Sequence, residues 1–338
     1  MQNYNLVLEK LTANANILET GNVKKVLMLY EEKIQFIGDC CKRFDKLSYF
    51  STYLNNAVID INFTGTENQK FYEGLLKNNP YLENITTMVW NEIDFQQYDI
   101  VFCIAYDEQR ILQYLADRYG QLILDGRFRL AVFSISELIL RPVLHAKYIF
   151  PVHEQLVEYI KVPRPGKLYI SEGEQDWANR WLEVRGIQKN EHLFIMVDST
   201  TAKYKLIDIT VYFDLLTHLL SIYNCRILVF DEGNIGKEEF YKEWTGDRFA
   251  DRIIVSKGLT LRENLCLIGS AYTRLVFGPC TGLMHCASAI YNNYQAQGMT
   301  RENIPLMITY TGEYTAENIN ARFWWGNSPL IHCLMIRK

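Results

Sequence analysis

A chain of 338 residues is long enough for two domains of about 150 residues, each with its own hydrophobic core. Hydrophobic residues make up 49% and charged residues 22%, the balance of an ordinary globular protein, and the formal net charge of -4 provides no basic excess to mark a nucleic-acid partner. No segment is apolar for long enough to span a bilayer, the opening MQNYNLVLEKLTANANILET lacks a signal peptide's continuous apolar core, and the eight cysteines include no C-x-x-C pair, so the expectation is a cytoplasmic protein with mostly buried thiols and neither a zinc nor a redox motif.

In chain order, VKKVLMLY (23–30) is a short apolar run suited to a buried parallel strand. Helical spacing follows from about Phe36 to Asn55. Then come AVIDINFT, a helix-like QKFYEGLLKN, the short ITTMVW, the strand YDIVFCIAY, a helix from about Asp107, and QLILDG. Pro142, Pro151, Pro163 and Pro165, half of all the prolines, crowd the next stretch and mark a stiff connection. The expected boundaries are an N-terminal domain over 1–150, a linker over 151–166 and a C-terminal domain over 167–338. The second half repeats the alternation: HLFIMVDST, the helix VYFDLLTHLLSIY, CRILVFDEG, RIIVSKG, the helix LRENLCLIGSA, RLVFGP, the helix GLMHCASAIYN, and IPLMITYTG as the last clear strand. Strands alternating with helices predict an α/β protein of two Rossmann-like, doubly wound parallel sheets facing across a cleft. Such sheets bind ligands at the carboxyl ends of their strands.

Four strand-to-helix turns could carry chemistry. FIGDC places Asp39 at a helix start, as a cap or as a functional carboxylate. VDSTTAKYKL offers Ser199, Thr200 and Thr201 with Lys205 four residues on, which is either a polar loop or the donors and cation that a diphosphate needs. FDEGNIGKEEF brings carboxylates to a strand end, as a solvated acidic turn or a partner for ribose hydroxyls. LVFGPCTGLMHCASAI ends a strand in Gly278 and opens a helix with Thr281 and Gly282, whose unpaired amides suit an anion. His285, one turn in, is either a core residue or a ligand contact.

Taken together, the four turns resemble the heptosyltransferase-type glycosyltransferases, glycosyltransferase family 9 with the GT-B fold, from about Val23 to Gly312. The best window is LTLRENLCLIGSAYTRLVFGPCTGLMHCASAI, with Leu261, Glu263, Asn264, Gly278, Thr281, Gly282, Met284, His285, Ala287 and Ala289 in register. Gly38 and Asp39 match the family's Gly-Asp turn; Thr200, Thr201 and Lys205 match its hydroxyl-rich turn and lysine; Glu238, with Glu239 beside it, takes the place of its ribose-side carboxylate. The resemblance implies inverting transfer of a hexose or heptose from a nucleoside diphosphate sugar to a glycan or glycolipid acceptor, in the manner of cell-envelope polysaccharide synthesis. Asp39 would be the base. Thr200, Thr201, Lys205, Thr281, Gly282 and His285 would hold the diphosphate, and Glu238 and Cys280 would face the ribose and sugar. No cofactor and no metal are expected, since the sequence has no Asp-x-Asp pair. A lipid-linked acceptor would bring the protein to the inner face of a membrane. Two departures stand out. Cys280 occupies a place that is usually acidic. The family's usual further C-terminal helix has no counterpart, and the cluster Phe323, Trp324, Trp325 either packs in the core or takes part of that helix's role. Two other functions fit the scaffold: a non-catalytic nucleotide- or glycan-binding relative, and a nucleotide-sugar epimerase.

Overall fold

The computed structural model describes residues 2–30, 37–44, 47–63, 69–104, 109–134, 162, 164–311 and 325–336. The chain divides into two compact units. The first comprises Met1–Gln35, Lys42–Glu73 and Asn79–Val162; the second comprises Phe36–Cys41, Gly74–Asn78 and Pro163–Lys338. The expected 151–166 linker lies almost wholly outside the described residues.

The first unit is built on five parallel strands, β1 (Lys25–Tyr30), β2 (Val58–Phe63), β3 (Leu82–Thr86), β4 (Ile100–Ile104) and β5 (Ala131–Ser134), in the order β3-β2-β1-β4-β5. Val26 pairs with Ile59 on one side and Ile100 on the other. The central strand is buried on both faces, which is why it reads as an unbroken apolar run. The unit's helices are α1 (Gln2–Asn16), α3 (Leu47–Tyr53) and α5 (Gln109–Leu124), with the end of α2 (Ile37–Phe44) and the start of α4 (Gln69–Leu76); the start of α2 and the end of α4 are counted with the second unit. Helix α1 buries Val7, Leu11 and Ala15, one stripe at fourfold spacing, and packs on α5. On the other side of the sheet, Tyr30, Phe44, Phe63 and Tyr72 form an aromatic cluster in which Phe63 and Tyr72 stack at 4.8 Å.

The second unit has six parallel strands: β6 (His192–Met196), β7 (Cys225–Asp231), β8 (Ile253–Lys257), β9 (Thr273–Pro279), β10 (Leu306–Thr311) and β11 (Ile331–Met335), ordered β11-β10-β9-β6-β7-β8. Its helices are α6 (Glu172–Val184), α7 (Ile209–Ile222), α8 (Lys237–Thr245), α9 (Leu261–Ile268) and α10 (Gly282–Ala296). Phe194, Met196, Ile227, Val229, Leu275 and Phe277 pack with Tyr212, Phe213, Leu216 and Tyr241 of α7 and α8. The alternate residues Leu193, Ile195, Leu228 and Val276 are equally buried on the opposite face, where α9 and α10 contact β9. This is the doubly wound arrangement expected from the alternation. Its chain order reverses between β6 and β9: strands 6-7-8 run one way from that point and 9-10-11 the other.

Three local expectations needed correction. QLILDG, set apart from the helix that starts near Asp107, belongs to it: Gln121–Leu124 closes α5, whose stripe Ile111, Leu112, Leu115, Tyr119, Ile123 carries helical spacing straight through it, and the fifth strand is Ala131–Ser134. ITTMVW lies mostly beyond β3, which is Leu82–Thr86. IPLMITYTG is followed by a further strand, β11, paired in parallel with β10. The half-exposed β11, with Leu334 and Met335 facing solvent, lacks the continuous apolar signal of the buried strands.

Candidate active site

The point where chain order reverses between β6 and β9 lets the two following loops diverge, leaving the carboxyl ends of both strands as the natural ligand position in such a sheet. Both loops carry predicted residues. After β6, Asp198 to Leu206 runs through a short turn at Lys203–Lys205. After β9, Cys280 and Thr281 lead into α10. The two are joined directly: Lys205 Nζ donates to the Cys280 carbonyl at 3.1 Å, and the Cys280 amide donates to the Tyr310 carbonyl at 2.8 Å. Cys280 itself is buried. Gly278 lacks a side chain because of packing on the neighbouring strand; a Cβ there would sit 2.6 Å from the Val197 Cβ.

Thr281 is the N-cap residue of α10, in extended backbone (φ −143°, ψ 173°), and its hydroxyl makes no capping hydrogen bond. Three other helices of the second unit have side-chain caps: Ser171 with Glu174 on α6 and Thr260 with Glu263 on α9 form complete capping boxes, and Asp208 caps α7. At α10 the first-turn amides and the positive end of the helix dipole are left without that side-chain acceptor. Gly282 opens the helix against the start of α2. A Cβ on Gly282 would lie 2.7 Å from the Ile37 Cβ and 2.8 Å from the Gly38 nitrogen, and one on Gly38 would lie 3.3 Å from the Gly282 Cα and 3.4 Å from His285 Cδ2. Gly38, expected in a turn, lies in the first turn of helix α2, and this helix start and the turn after β9 are neighbours within the second unit. Asp39 is the third residue of α2; its side chain lies outside the described residues.

His285 is half-buried, and its ring stacks on Trp325 with centroids 3.9 Å apart and planes 17° from parallel. Trp325 is buried; Phe323 and Trp324 lie outside the described residues. Thr200 Oγ1 accepts from the Ala202 amide at 3.3 Å and so shapes its own loop, while Thr201 is exposed. Glu238 is exposed on α8 and pairs with Lys242 at 2.8 Å, an i,i+4 ion pair that lowers its carboxyl pKa. The structure thus gathers Lys205, Cys280, Thr281, Gly282, His285 and the Gly38 backbone, and places Glu238 in a surface ion pair.

Asp198 was not singled out from the sequence. It is the first polar residue after the β6 run, and both its oxygens are engaged: Lys237 Nζ donates to Oδ1 at 2.5 Å and Tyr241 Oη to Oδ2 at 2.9 Å. Lys237 also donates to the Phe230 carbonyl, and Tyr241 shares a 2.7 Å hydrogen bond with Tyr212. This buried set anchors the base of the Ser199–Lys205 loop to α7 and α8. Asp231 is spent on the start of α8, accepting from the Ile235 and Lys237 amides. Glu232 follows it; its side chain reaches solvent, yet crowding by the surrounding protein still pushes its carboxyl pKa up, against the pull of the Lys237 charge.

No family model matches the chain, and no curated protein matches it. Solved structures do. The glycosyl transferase family 9 protein from Veillonella parvula DSM 2008 superimposes with a TM-score of 0.62 at 12% identity, over 96% of this chain and 88% of that one. ADP-heptose LPS heptosyltransferase II from E. coli gives 0.58 at 14% identity, over 93% of this chain and 90% of that one. The chain has the GT-B fold. The likeness to family 9 read from the four turns is borne out at that level, along nearly the whole chain. A UDP-GlcNAc 2-epimerase from Methanocaldococcus jannaschii matches at a TM-score of 0.43, too low to carry an argument within the GT-B fold. Among the described residues, no helix is long and apolar enough to cross a membrane.

Proposed function

We propose that the chain is a glycosyltransferase that moves a sugar, with inversion and without a metal ion, from a nucleoside diphosphate sugar to a glycan or glycolipid acceptor. The observation that carries this reading is the Lys205 ammonium seated on the Cys280 carbonyl, beside the uncapped start of α10 and at the reversal point of the second sheet. Departure of a diphosphate builds negative charge, and a lysine with oriented helix amides opposes that charge with no divalent ion. The acceptor hydroxyl oxygen forms the new bond to the anomeric carbon as its proton passes to Asp39. The bond from that carbon to the diphosphate oxygen breaks, and its electron pair leaves with the diphosphate toward Lys205 and the amides of Thr281 and Gly282. Thr200, Thr201 and His285 add donors. Glu238 would have to leave Lys242 to meet a ribose. In this reading the protein works in the cytoplasm, at the inner face of a membrane when its acceptor is lipid-linked.

Release of nucleoside diphosphate from a panel of donor sugars, with and without glycan acceptors, tests the proposal. Asp39→Asn is expected to bind nucleoside diphosphate as the wild type does and to lose transfer; transfer at the wild-type rate in that variant removes Asp39 from the role. Cys280 in the usually acidic place favours one second reading, a binding protein that takes nucleotide without turnover. Ligand stabilisation with no release on any donor would select it.

A further inference from the structure

The Trp325–Ser328 turn touches helix α10 at two points. Trp325 stacks on His285 in the first turn of the helix, and Ser328 Oγ donates to Asn292 Oδ1 at 2.6 Å. Residues seven apart on a helix lie on one face, two turns along, so the turn lies lengthwise against a single side of α10. It is closed internally: the Ser328 amide donates to the Trp325 carbonyl at 3.2 Å, the Leu330 amide donates to Ser328 Oγ at 3.3 Å, and Ser328 is fully buried. A third element locks it from outside. Gly326 has φ +61°, a conformation that favours glycine, and a Cβ there would overlap the Arg164 carbonyl. The same incoming segment is tied to α10 by Asn292 Nδ2 donating to the Gly166 carbonyl at 3.1 Å and by the Leu168 backbone amide donating to the Ala289 carbonyl at 3.1 Å. The backbone that carries the indole is therefore held by hydrogen bonds and close packing that do not involve His285, and the buried indole presents its face to the His285 ring.

We propose that Trp325 is a positioning residue: it sets the plane of the His285 imidazole beside the first turn of α10, so that a diphosphate arriving there meets a ring already oriented. This rests on the diphosphate reading of the turn after β9. An imidazole free to rotate would pay conformational entropy on each binding event; a stacked one has already lost it.

The test compares Trp325→Ala, Trp325→Phe, His285→Ala and the double variant Trp325→Ala/His285→Ala, with two readouts. The first needs no ligand: the rate at which diethylpyrocarbonate modifies His285, followed by mass spectrometry. It is expected to rise several-fold in Trp325→Ala and to stay near the wild-type rate in Trp325→Phe. The second is the affinity for ADP and UDP. Trp325→Ala is expected to weaken it about two- to tenfold, Trp325→Phe to restore most of it, and the double variant to bind no worse than His285→Ala alone. If Trp325→Ala does not fold, Trp325→Leu fills the volume without the aromatic face. An unchanged modification rate in a folded variant that lacks the ring overturns the proposal, and so do losses that simply multiply in the double variant. A raised modification rate in Trp325→Ala, with no ADP or UDP binding to the wild type, upholds the positioning of His285 and removes the diphosphate reading instead.

Discussion

Lys205 sits four residues past Thr201 in the sequence, and in the fold it crosses to the Cys280 carbonyl. Charge-assisted hydrogen bonds are worth about 1.5–3 kcal/mol, so Lys205→Ala is expected to weaken ADP or UDP binding at least tenfold, read by isothermal titration, with a smaller effect on unfolding. Gly282 tests geometry rather than charge. In Gly282→Ala the new methyl meets the Ile37 Cβ and the Gly38 nitrogen, the latter being backbone that cannot swing aside. A loss of about 2 kcal/mol or more is expected in denaturant unfolding; wild-type stability would mean that α2 does not abut α10 as described. At this scale Lys205, Thr281, Gly282 and His285 were legible because they lie in compact runs with a recognisable spacing. Trp325 was picked out only as part of an aromatic cluster; its stacking on His285 was not legible, since that partner is far upstream and nothing local distinguishes a stacking indole from a core one. Glu238 followed family position, and only the fold reveals its commitment to Lys242.

Elements are held at the site by buried polar pairs. Asp198 joins the end of β6 to α8 through Lys237 and Tyr241. Asp198→Ala leaves the Lys237 ammonium mostly buried without its partner and is expected to cost about 3 kcal/mol, with increased amide exchange in the 199–206 loop; unaltered exchange there would deny that Asp198 anchors the loop. A second pair ties α9 to α6. Arg262 reaches Glu174 with two nitrogens, at 2.9 and 2.6 Å, and also donates to the Gly74 and Tyr169 carbonyls. Burial works against the Glu174 charge, but Arg262, the Ser171 amide and Lys77 outweigh it and hold the carboxyl well below its ordinary 4.5. A carboxyl with a depressed native pKa contributes its stability above the unfolded value and loses it as pH falls toward the native one. Acid unfolding of the wild type therefore steepens below about pH 4.5, and Glu174→Gln, less stable at neutral pH, is expected to show a shallower acid slope. Equal slopes would contradict the pairing. The apolar runs of β1, β6, β7 and β9 announced themselves because strands buried on both faces have no alternation to hide in. The strand β11 and the helix α1 did not: one is a half-exposed edge, and the other is a narrow stripe in a polar segment.

For the whole molecule, alternation of strands and helices was enough to predict two parallel sheets, because parallel strands require crossovers and these fall between the runs. Strand order was beyond it. The adjacency of β6 and β9, which creates the reversal point, depends on long-range pairing that no local pattern encodes. The same holds for the inclusion of Phe36–Cys41 in the second unit, which brings Gly38 at the start of α2 to Gly282 and His285. The central claim is that Lys205 and the start of α10 neutralise a diphosphate by themselves. Calorimetric titration of ADP and UDP in the presence of EDTA, at two salt concentrations, measures this most directly. The account predicts that at least one nucleotide binds wild type despite the chelator, more weakly at high salt, and at least tenfold more weakly to Lys205→Ala. Binding abolished by EDTA, or affinity identical in Lys205→Ala, would contradict it.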